Sequence, residues 1–408
     1  MFEFKKRMSN KLSGFFEKYL KNDPLFIDKK VLQANYAPDT IPHRDDQIEY
    51  VANILAPALK LEKPSNLFVY GKSGTGKTLT MKSIISNMEE IAKKKKIDLK
   101  FFYLNCKLKR VADTEYRLIA QLARMFGKDV PATGLPTDEV YKIFVEAIDD
   151  KEQLLILVLD EIDQLVNKVG DEILYNLTRL NPELEKAELS LVGISNNLFF
   201  MNSIDARVKS SLSEEELVFP PYNALQLQDI LKKRSKLAFR NNVVKKGVIE
   251  KCAAYAAREH GDARRALDLF RVAGELAERS GDKNVDIKHI DNAEEKIEND
   301  MVLEMVNTQP KQFQLTLYSI MSVCALSNDS ISTGDVFGIY KDNCLKVGLK
   351  PLTQRRVSDI INELDMMGII TGRVISRGRY GRSKEISLAL PSANVLKVKE
   401  VLKDILGL

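Results

Sequence analysis

The most informative stretch of this sequence is Gly71-Lys72-Ser73-Gly74-Thr75-Gly76-Lys77-Thr78, which fits the pattern G-x-x-x-x-G-K-[ST]. An apolar strand pattern, Asn66 to Tyr70, precedes it, and a helical pattern begins near Thr78. The glycines let such a loop turn back, so that backbone N–H groups and the helix N-terminus face phosphate oxygens. We therefore predict a nucleoside triphosphate site in which Lys77 reaches the outer phosphates and the Thr78 hydroxyl ligates Mg²⁺. The residues expected to contact the nucleotide here are Gly71, Lys72, Ser73, Gly74, Thr75, Gly76, Lys77, Thr78 and Leu79.

An acidic pair, Asp160-Glu161, directly follows the apolar run Leu154 to Leu159. A carboxylate at the C-terminal end of a neighbouring parallel strand stands where a magnesium partner is needed, and we expect Asp160 to fill that role. Glu161 is then placed to orient or deprotonate a water that attacks the γ-phosphate. Ordinary strand-end polarity explains the pair equally well when it is taken alone, but together with the phosphate loop it favours ATP hydrolysis to ADP and phosphate.

Short apolar strands alternate with helical patterns between residues 66 and 221, which predicts βαβ units and a parallel sheet. The expected strands are Asn66–Tyr70, Lys100–Cys106, Leu154–Asp160, Leu189–Asn196 and Glu216–Pro220. A wholly helical pattern then continues to about Thr308. Its expected helices are Ala224–Arg240, Lys245–His260, Ala263–Ser280 and Asp286–Val306.

The last hundred residues predict three helices, a β-hairpin and a closing helix, which is the order of a winged helix. The expected elements are Phe313–Leu326, Thr333–Lys346, Thr353–Met367, Ile369–Ser376, Lys384–Leu390 and Asn394–Leu406. In the third helix, apolar residues at i, i+3, i+4 and i+7 form a buried stripe, and polar side chains face outward as a recognition helix requires. No acidic residue lies between Thr371 and Lys384, so the hairpin suits DNA phosphates, although a solvated basic turn is the alternative. The expected DNA contacts are Gln354, Arg355, Ser358, Arg373, Arg377, Arg379, Tyr380, Arg382 and Lys384.

Composition and charge exclude several classes of protein. The 408 residues predict two to four domains, and the longest aliphatic run is far too short to cross a membrane. The N-terminus lacks a signal-peptide pattern, so a cytoplasmic, nucleoid-associated protein is expected, and four dispersed cysteines indicate neither a zinc site nor a disulfide framework. Residues 311–408 hold 14 basic and 9 acidic residues, whereas the first 310 residues hold 48 of each sign. The whole net charge of +5 therefore lies in the last quarter, which indicates contact with a polyanion.

These motifs resemble those of the AAA+ ATPases and, within them, of the archaeal initiators of the origin-recognition and cell-division-cycle family. The similarity runs from Tyr36-Ala-Pro-Asp-Thr-Ile-Pro-His-Arg-Asp-Asp-Gln-Ile48 to the final winged helix. It implies an α/β AAA+ P-loop ATPase with a parallel sheet flanked by helices, an α-helical lid and a C-terminal winged-helix domain. The implied boundaries are an N-terminal extension at 1–35, the AAA+ core at 36–221, the lid at 222–308 and the winged helix at 309–408.

The resemblance also implies roles for residues outside the two motifs. Pro42, His43 and Arg44 would lie near the adenine, although a turn before a helix explains this tripeptide equally well. Asn196, or its neighbour Asn197, would sense the γ-phosphate.

Arg207 would be an arginine finger at a subunit boundary, although without the resemblance a surface arginine is the better interpretation. Tyr222 and Arg234 would line the nucleotide pocket, and Arg264 would touch the γ-phosphate from the lid and so couple lid closure to ATP. The segment Lys107–Ala147 would carry a second DNA-contacting element, with the 131–138 loop as its tip.

The implied function is an ATP-controlled initiator that binds duplex DNA at replication origins, with slow ATP hydrolysis as a switch. A replicative helicase and a second initiator copy are the further expected partners, and no membrane is involved. One rival is an ATP-gated transcriptional or signalling regulator with a winged-helix output. Such regulators commonly carry a long sensing domain, whereas this chain ends after one winged helix. A second rival, a clamp-loader or recombination ATPase, would be expected to end in a helical collar rather than a wing.

Overall fold

The computed structural model describes residues 23–38, 40–107, 114–131, 133–212, 214–326, 331–376, 382–390 and 392–408. The chain divides into two compact units, with the division between Ile290 and Asp291. No helix of the described residues is long and apolar enough to cross a membrane.

The first unit is built on a five-stranded parallel sheet with the order β2-β3-β4-β1-β5. The strands are β1 (Leu67–Tyr70), β2 (Leu99–Asn105), β3 (Gln153–Asp160), β4 (Ala187–Ser195) and β5 (Glu215–Val218). Every residue of β3 is buried, as an apolar strand in the middle of a covered parallel sheet should be. The strand ends differ from the sequence-based bounds by at most two residues, so the predicted parallel sheet is confirmed.

Helices cover both faces of this sheet. They are α1 (Asp45–Leu55), α2 (Lys77–Lys95), α3 (Glu115–Met125), α4 (Thr137–Ile148), α5 (Ile162–Val169), α6 (Glu172–Thr178) and α7 (Ala206–Leu212). Helices α1 and α2 pack on the face that carries Val69, Ile156 and Val158, whereas α3 to α7 pack on the face that carries Leu155 and Leu157. Alternation of the side chains along β1 and β3 therefore separates two apolar cores.

A helical lid completes the first unit. Its helices are α8 (Ala224–Ala238), α9 (Val248–Arg258), α10 (Ala263–Ser280) and the start of α11 (Ile287–Asn307). Helix α8 begins at a capping box formed by Asn223 and Gln226. It ends two residues earlier than the sequence predicts, because the backbone turns extended at Phe239, whose ring packs on Phe26 and Phe270.

The second unit is the expected three-helix and hairpin arrangement, with one addition. Its further elements are α12 (Lys311–Leu326), β6 (Ile331–Ser332), α13 (Thr333–Val347), α14 (Gln354–Met366), β7 (Ile370–Ser376), β8 (Arg382–Leu388) and α15 (Ser392–Leu406). Strand β6, which the sequence pattern does not reveal, pairs with β8 to give an antiparallel sheet of order β6-β8-β7. The predicted stripe of α14, Val357, Ile360, Ile361 and Leu364, is buried in the core of this unit.

Candidate nucleotide site and nucleic-acid interface

The phosphate loop joins β1 to α2, and close packing explains its glycines. Gly74 and Gly76 have φ angles of 69° and 96°, a region that favours glycine. A Cβ atom on Gly71 would lie 2.4 Å from the carbonyl oxygen of Phe219, and one on Gly74 would overlap the carboxylate of Asp262. The loop is thus held between the sheet and the lid, where any side chain at these positions would disrupt it.

The ammonium group of Lys77 is buried at the centre of this loop. Its Nζ atom donates to the carbonyl oxygens of Gly71 at 2.6 Å and Lys72 at 2.8 Å, and to Oδ1 of Asn196 at 2.9 Å. Burial lowers the pKa of Lys77 to about 8; the negative charge of Asp160 opposes this shift, and the positive charge of Arg264 adds to it. The loop therefore concentrates N–H donors and a cation where an anionic phosphate would be stabilised.

Asn196 rather than Asn197 faces the loop. Oδ1 of Asn196 accepts from Lys77, whereas Oδ1 of Asn197 accepts from the backbone N–H of Phe199. The hydroxyl of Ser195, the last residue of β4, donates to Oδ1 of Asp163 at 2.9 Å. This buried bond fixes the end of β4 beside α5, and with it the position from which Asn196 emerges.

The acidic side of the site is organised around Asp160, which is 3 % exposed. The hydroxyl of Thr78 donates to its Oδ2 atom at 2.8 Å, and the backbone N–H of Glu161 donates to Oδ1 at 3.0 Å. Thr78 and Asp160 thus present two adjacent oxygens of the kind that Mg²⁺ prefers.

Tyr103 is a member of the site that the sequence does not reveal. Its hydroxyl donates to Oδ2 of Asp160, and burial together with this bond raises the pKa of Tyr103. Tyr103 lies on β2, whose parallel register with β3 pairs Asn105 with Asp160. The sequence does show a tyrosine near the end of a predicted strand. Only the order of the strands shows that this strand lies next to β3 and therefore next to Asp160.

Glu161 has a left-handed backbone conformation, with a φ angle of 56°, immediately before α5. Its side chain is partly exposed, and one carboxylate oxygen lies 4.0 Å from Nζ of Lys107. The structure therefore places Glu161 next to Asp160 and accessible to water. Its role as a base remains a prediction.

Arg44 links the phosphate loop to the beginning of the lid. Its Nε donates to the carbonyl oxygen of Thr75 at 2.8 Å, and Nη2 donates to that of Pro220 at 2.6 Å. The guanidinium also lies 3.9 Å from the centre of the Tyr222 ring, and the side chain is 2 % exposed. Arg44 and Tyr222 therefore contact each other beside the phosphate loop. A contact of either residue with adenine remains a prediction.

A cavity of about 660 Å³ lies between the segment before α1 and lid helix α8, and Pro42 and His43 line it. Nε2 of His43 is 3.3 Å from Oδ2 of Asp229 on α8. Arg234 lies over the ring of Tyr36 at 4.4 Å, and its Nη1 atom is buried without a hydrogen-bond partner among the described residues. Such an unsatisfied donor is costly unless a ligand or water meets it, which suits the predicted role of Arg234 in binding the nucleotide. Leu79 is half-buried on the first turn of α2.

The lid contributes Arg264 from the first turn of α10. Asp262 caps this helix by accepting from the backbone N–H of Arg264 at 2.7 Å, and its carboxylate lies against Gly74. The side chain of Arg264 is exposed, yet its charge is close enough to act on the pKa of Lys77. The second predicted sensor therefore lies on the lid side of the phosphate loop.

Arg207, on α7, forms its side-chain hydrogen bonds with Asp205, two positions earlier in the chain. Its Nε and Nη2 atoms donate to the two carboxylate oxygens of Asp205 at 3.0 and 3.1 Å, and the guanidinium lies over the ring of Tyr175. The side chain is 72 % exposed. Both the arginine finger and the surface arginine are compatible with this position.

The predicted DNA contacts lie in the second unit. Gln354 and Arg355 are exposed on α14, and the hydroxyl of Ser358 donates to the carbonyl oxygen of Gln354. Lys384 is bonded to Asn362 and Asp365 of α14, which ties the hairpin to that helix.

Arg373 is exposed on β7. Arg377, Arg379 and Tyr380 lie outside the described residues, and so does the side chain of Arg382.

Comparison with known families matches three models along this chain. They are an AAA domain over residues 61–201, a Cdc6 AAA+ ATPase-type lid domain over 228–295 and a CDC6 C-terminal winged-helix domain over 304–398. The ORC1-type DNA replication protein of Pyrococcus furiosus is 51 % identical over 96 % of this chain and 93 % of its own length. The ORC1-type DNA replication protein 1 of Methanosarcina mazei is 50 % identical over 95 % and 93 %.

Among solved structures, the Aeropyrum pernix ORC1 protein in complex with DNA matches with a TM-score of 0.78 and 44 % identity, over 93 % of this chain and 97 % of that one. The likeness thus extends over the AAA core, the lid and the winged helix. The chain belongs to the Orc1/Cdc6 family of archaeal DNA replication proteins, which are AAA+ ATPases with a C-terminal winged helix.

Proposed function

We propose that this protein is an ATP-dependent replication initiator that binds duplex DNA at replication origins. The observation that carries the proposal is the presence, in one chain, of a phosphate loop whose lysine is bonded to Asn196 and of a winged-helix unit. The relatives named ORC1-type DNA replication protein support replication rather than transcription as the process. No contact in the described residues favours the rival regulator.

In the proposed site, Lys77 and the loop N–H groups bind the phosphates of ATP, and Thr78 and Asp160 would hold Mg²⁺, which screens the phosphate charge. Glu161 orients or deprotonates the attacking water, because it is the accessible carboxylate next to Asp160. Asn196, which accepts a hydrogen bond from Lys77, would contact the γ-phosphate.

The lid makes this site a switch. Arg264 lies in the first turn of α10, the helix whose cap Asp262 lies against Gly74, so a γ-phosphate between Lys77 and Arg264 would favour the closed lid. Loss of the γ-phosphate would leave the two cations to repel each other. Slow hydrolysis would then set the lifetime of the ATP-bound state.

The DNA-binding part of the proposal rests on α14 and the hairpin between β7 and β8. The exposed Gln354 and Arg355 suit base edges and phosphates. In the sequence, Arg377 and Arg379 come between β7 and β8, and arginines suit the DNA backbone or the minor groove. The solved structure of the A. pernix relative is of ORC1 in complex with DNA, which supports the same partner here. The 107–147 segment is proposed as a second contact.

The proposal also includes assembly with other proteins. Arg207 would complete the ATP site of a second initiator copy, and the DNA-bound protein would recruit a replicative helicase. We propose four domains: an N-terminal extension at 1–35, the ATPase core at 36–221, the lid at 222–308 and the DNA-binding domain at 309–408.

Two substitutions test the ATPase part. Lys77→Ala removes the buried cation and should weaken ATP binding, whereas Glu161→Gln should keep ATP bound but unhydrolysed. Fluorescent-nucleotide binding and single-turnover hydrolysis measure the two effects separately. Equal binding and equal turnover in the wild type and both variants would contradict the assignment.

A further inference from the structure

The lid carries a concentration of basic residues, most of which have no role in the proposed nucleotide site. The 20 residues from Ile230 to Ile249 contain seven basic residues and no acidic one, although the first 310 residues of the chain hold equal numbers of each sign. This stretch covers the end of α8, the following loop and the start of α9. Its basic residues are Lys232, Lys233, Arg234, Lys236, Arg240, Lys245 and Lys246.

Six of these seven side chains are exposed, the exception being the buried Arg234. Lys232, Lys236, Arg240, Lys245 and Lys246 line one groove between α8 and α9, of about 430 Å³, which we call the lid groove. Lys232 and Lys236 also line the neighbouring cavity beside Pro42 and His43. Cations therefore stand along a continuous surface rather than at isolated points.

Little of this charge is neutralised within the protein. Lys232, Lys233, Lys236 and Lys246 form no ion pair with any residue that the structure describes. Lys245 pairs with Asp286 at 3.1 Å, and Arg240 lies 3.9 Å from the exposed carboxylate of Asp23. Glu250, the acidic residue that lines the lid groove, accepts a hydrogen bond from the backbone N–H of Gly247.

Mutual repulsion among unpaired lysines destabilises an isolated protein. The attraction between these lysines and an anionic partner offsets that repulsion. The remaining polar residues of the lid groove are Ser235, Asn241 and Asn242, which are hydrogen-bond donors. Lysine with serine and asparagine is the set that contacts DNA phosphates, whereas the cores of protein interfaces are depleted of lysine and enriched in aromatic residues, methionine and arginine. The composition of the lid groove therefore favours a nucleic-acid backbone over an acidic protein.

We propose that the lid groove binds the phosphate backbone of duplex DNA, as a contact separate from the winged helix and from the 107–147 segment. This inference rests on the proposed DNA-binding function and adds a surface to it. Since the contact is to phosphates alone, it contributes affinity without sequence preference. It also makes part of the DNA footprint depend on the lid, the element that the nucleotide is proposed to move.

The test measures the salt dependence of duplex DNA binding by the full chain. Nucleotide is left out, so that a change in ATP affinity cannot alter the measured DNA affinity. The variant is Lys232→Gln, Lys236→Gln and Lys246→Gln in one chain. The control is Lys63→Gln, Lys93→Gln and Lys95→Gln, which removes three exposed lysines that are likewise unpaired among the described residues. A second variant, Lys232→Arg, Lys236→Arg and Lys246→Arg, keeps the charge.

We expect the glutamine variant to bind DNA more weakly. The negative slope of log K against log salt should become shallower by about one for each phosphate that the lysines neutralise in the wild type, up to about three. The control and the arginine variant should keep the wild-type slope. If wild type and glutamine variant share one slope, the lid groove does not touch DNA, and an acidic protein becomes the better partner. If the wild type itself fails to bind duplex DNA, the proposed function fails instead.

Discussion

At the scale of the residue, Asp160 is held by two hydroxyl groups. Thr78 and Tyr103 both donate to its Oδ2 atom, and the backbone N–H of Glu161 donates to Oδ1. Partners of a metal-binding carboxylate fix its orientation, and their removal typically costs 10- to 100-fold in metal affinity. Tyr103 is therefore a positioning residue for the proposed Mg²⁺ site.

We predict that Tyr103→Phe raises the Mg²⁺ concentration needed for half-maximal ATPase activity by about tenfold, because the substitution removes one of the bonds that orient Asp160. Tyr70→Phe is the matched control, since Tyr70 bonds to Glu216 at the exposed edge of the sheet. A Mg²⁺ titration of steady-state hydrolysis measures the effect. An unchanged Mg²⁺ requirement in Tyr103→Phe would show that Thr78 and the backbone suffice.

Lys77 gives a second prediction at this scale. Burial lowers its pKa from 10.5 to about 8, and the phosphates of a bound nucleotide would raise it again. Because binding favours the protonated form, ATP affinity should be full below about pH 8 and fall by up to about tenfold per pH unit above it.

Fluorescent-nucleotide titrations between pH 7 and pH 9.5 would measure this dependence. Lys77→Met should bind ATP more weakly but without the decline above pH 8. A wild-type affinity that stays constant over this range would contradict a lowered pKa at Lys77.

At the scale of the element, the segment that enters α10 packs at Gly261 against the beginning of the lid, Pro221 and Tyr222. This residue has a φ angle of 67°, and a Cβ atom on it would lie 2.3 Å from the carbonyl oxygen of Tyr222. Gly281, at the end of α10, has a similar φ of 74° but nothing within 4 Å of its Cβ position. The two glycines thus share the backbone strain that alanine would suffer and differ in the clash.

We predict that Gly261→Ala destabilises the protein by about 2 kcal/mol more than Gly281→Ala, which corresponds to a melting temperature lower by several degrees. The excess arises because α10 must move away from Tyr222, so ATP affinity should fall as well. Thermal melting and nucleotide binding of the two variants give the comparison. Equal melting temperatures would mean that the lid accommodates the methyl group without moving.

Some elements of this fold could be predicted from the sequence and others could not. The run Leu154–Leu159 is apolar at every position, and a strand covered on both faces follows directly from that pattern. Strand β6 has only two residues, too few to form a pattern. The partners of Arg44 lie 31 and 176 positions away in the chain, and Tyr103 meets Asp160 only through the order of the strands. Contacts of this kind depend on the tertiary fold.

At the scale of the whole molecule, the chain combines the phosphate loop of an AAA+ ATPase with a winged helix and a basic lid. The formal excess of positive charge lies in residues 311–408, and the lid adds a local excess within a neutral region. Both basic surfaces suit a polyanion, and phosphate contacts fix orientation without reading sequence. Specificity for origins would therefore fall to base contacts from α14 and the hairpin.

A crosslinking map of where the protein lies on its own genome would test directly whether it binds replication origins. We predict occupancy confined to one or a few loci that coincide with replication start points. Occupancy scattered over promoters, with none at the start points, would contradict it and favour an ATP-gated regulator.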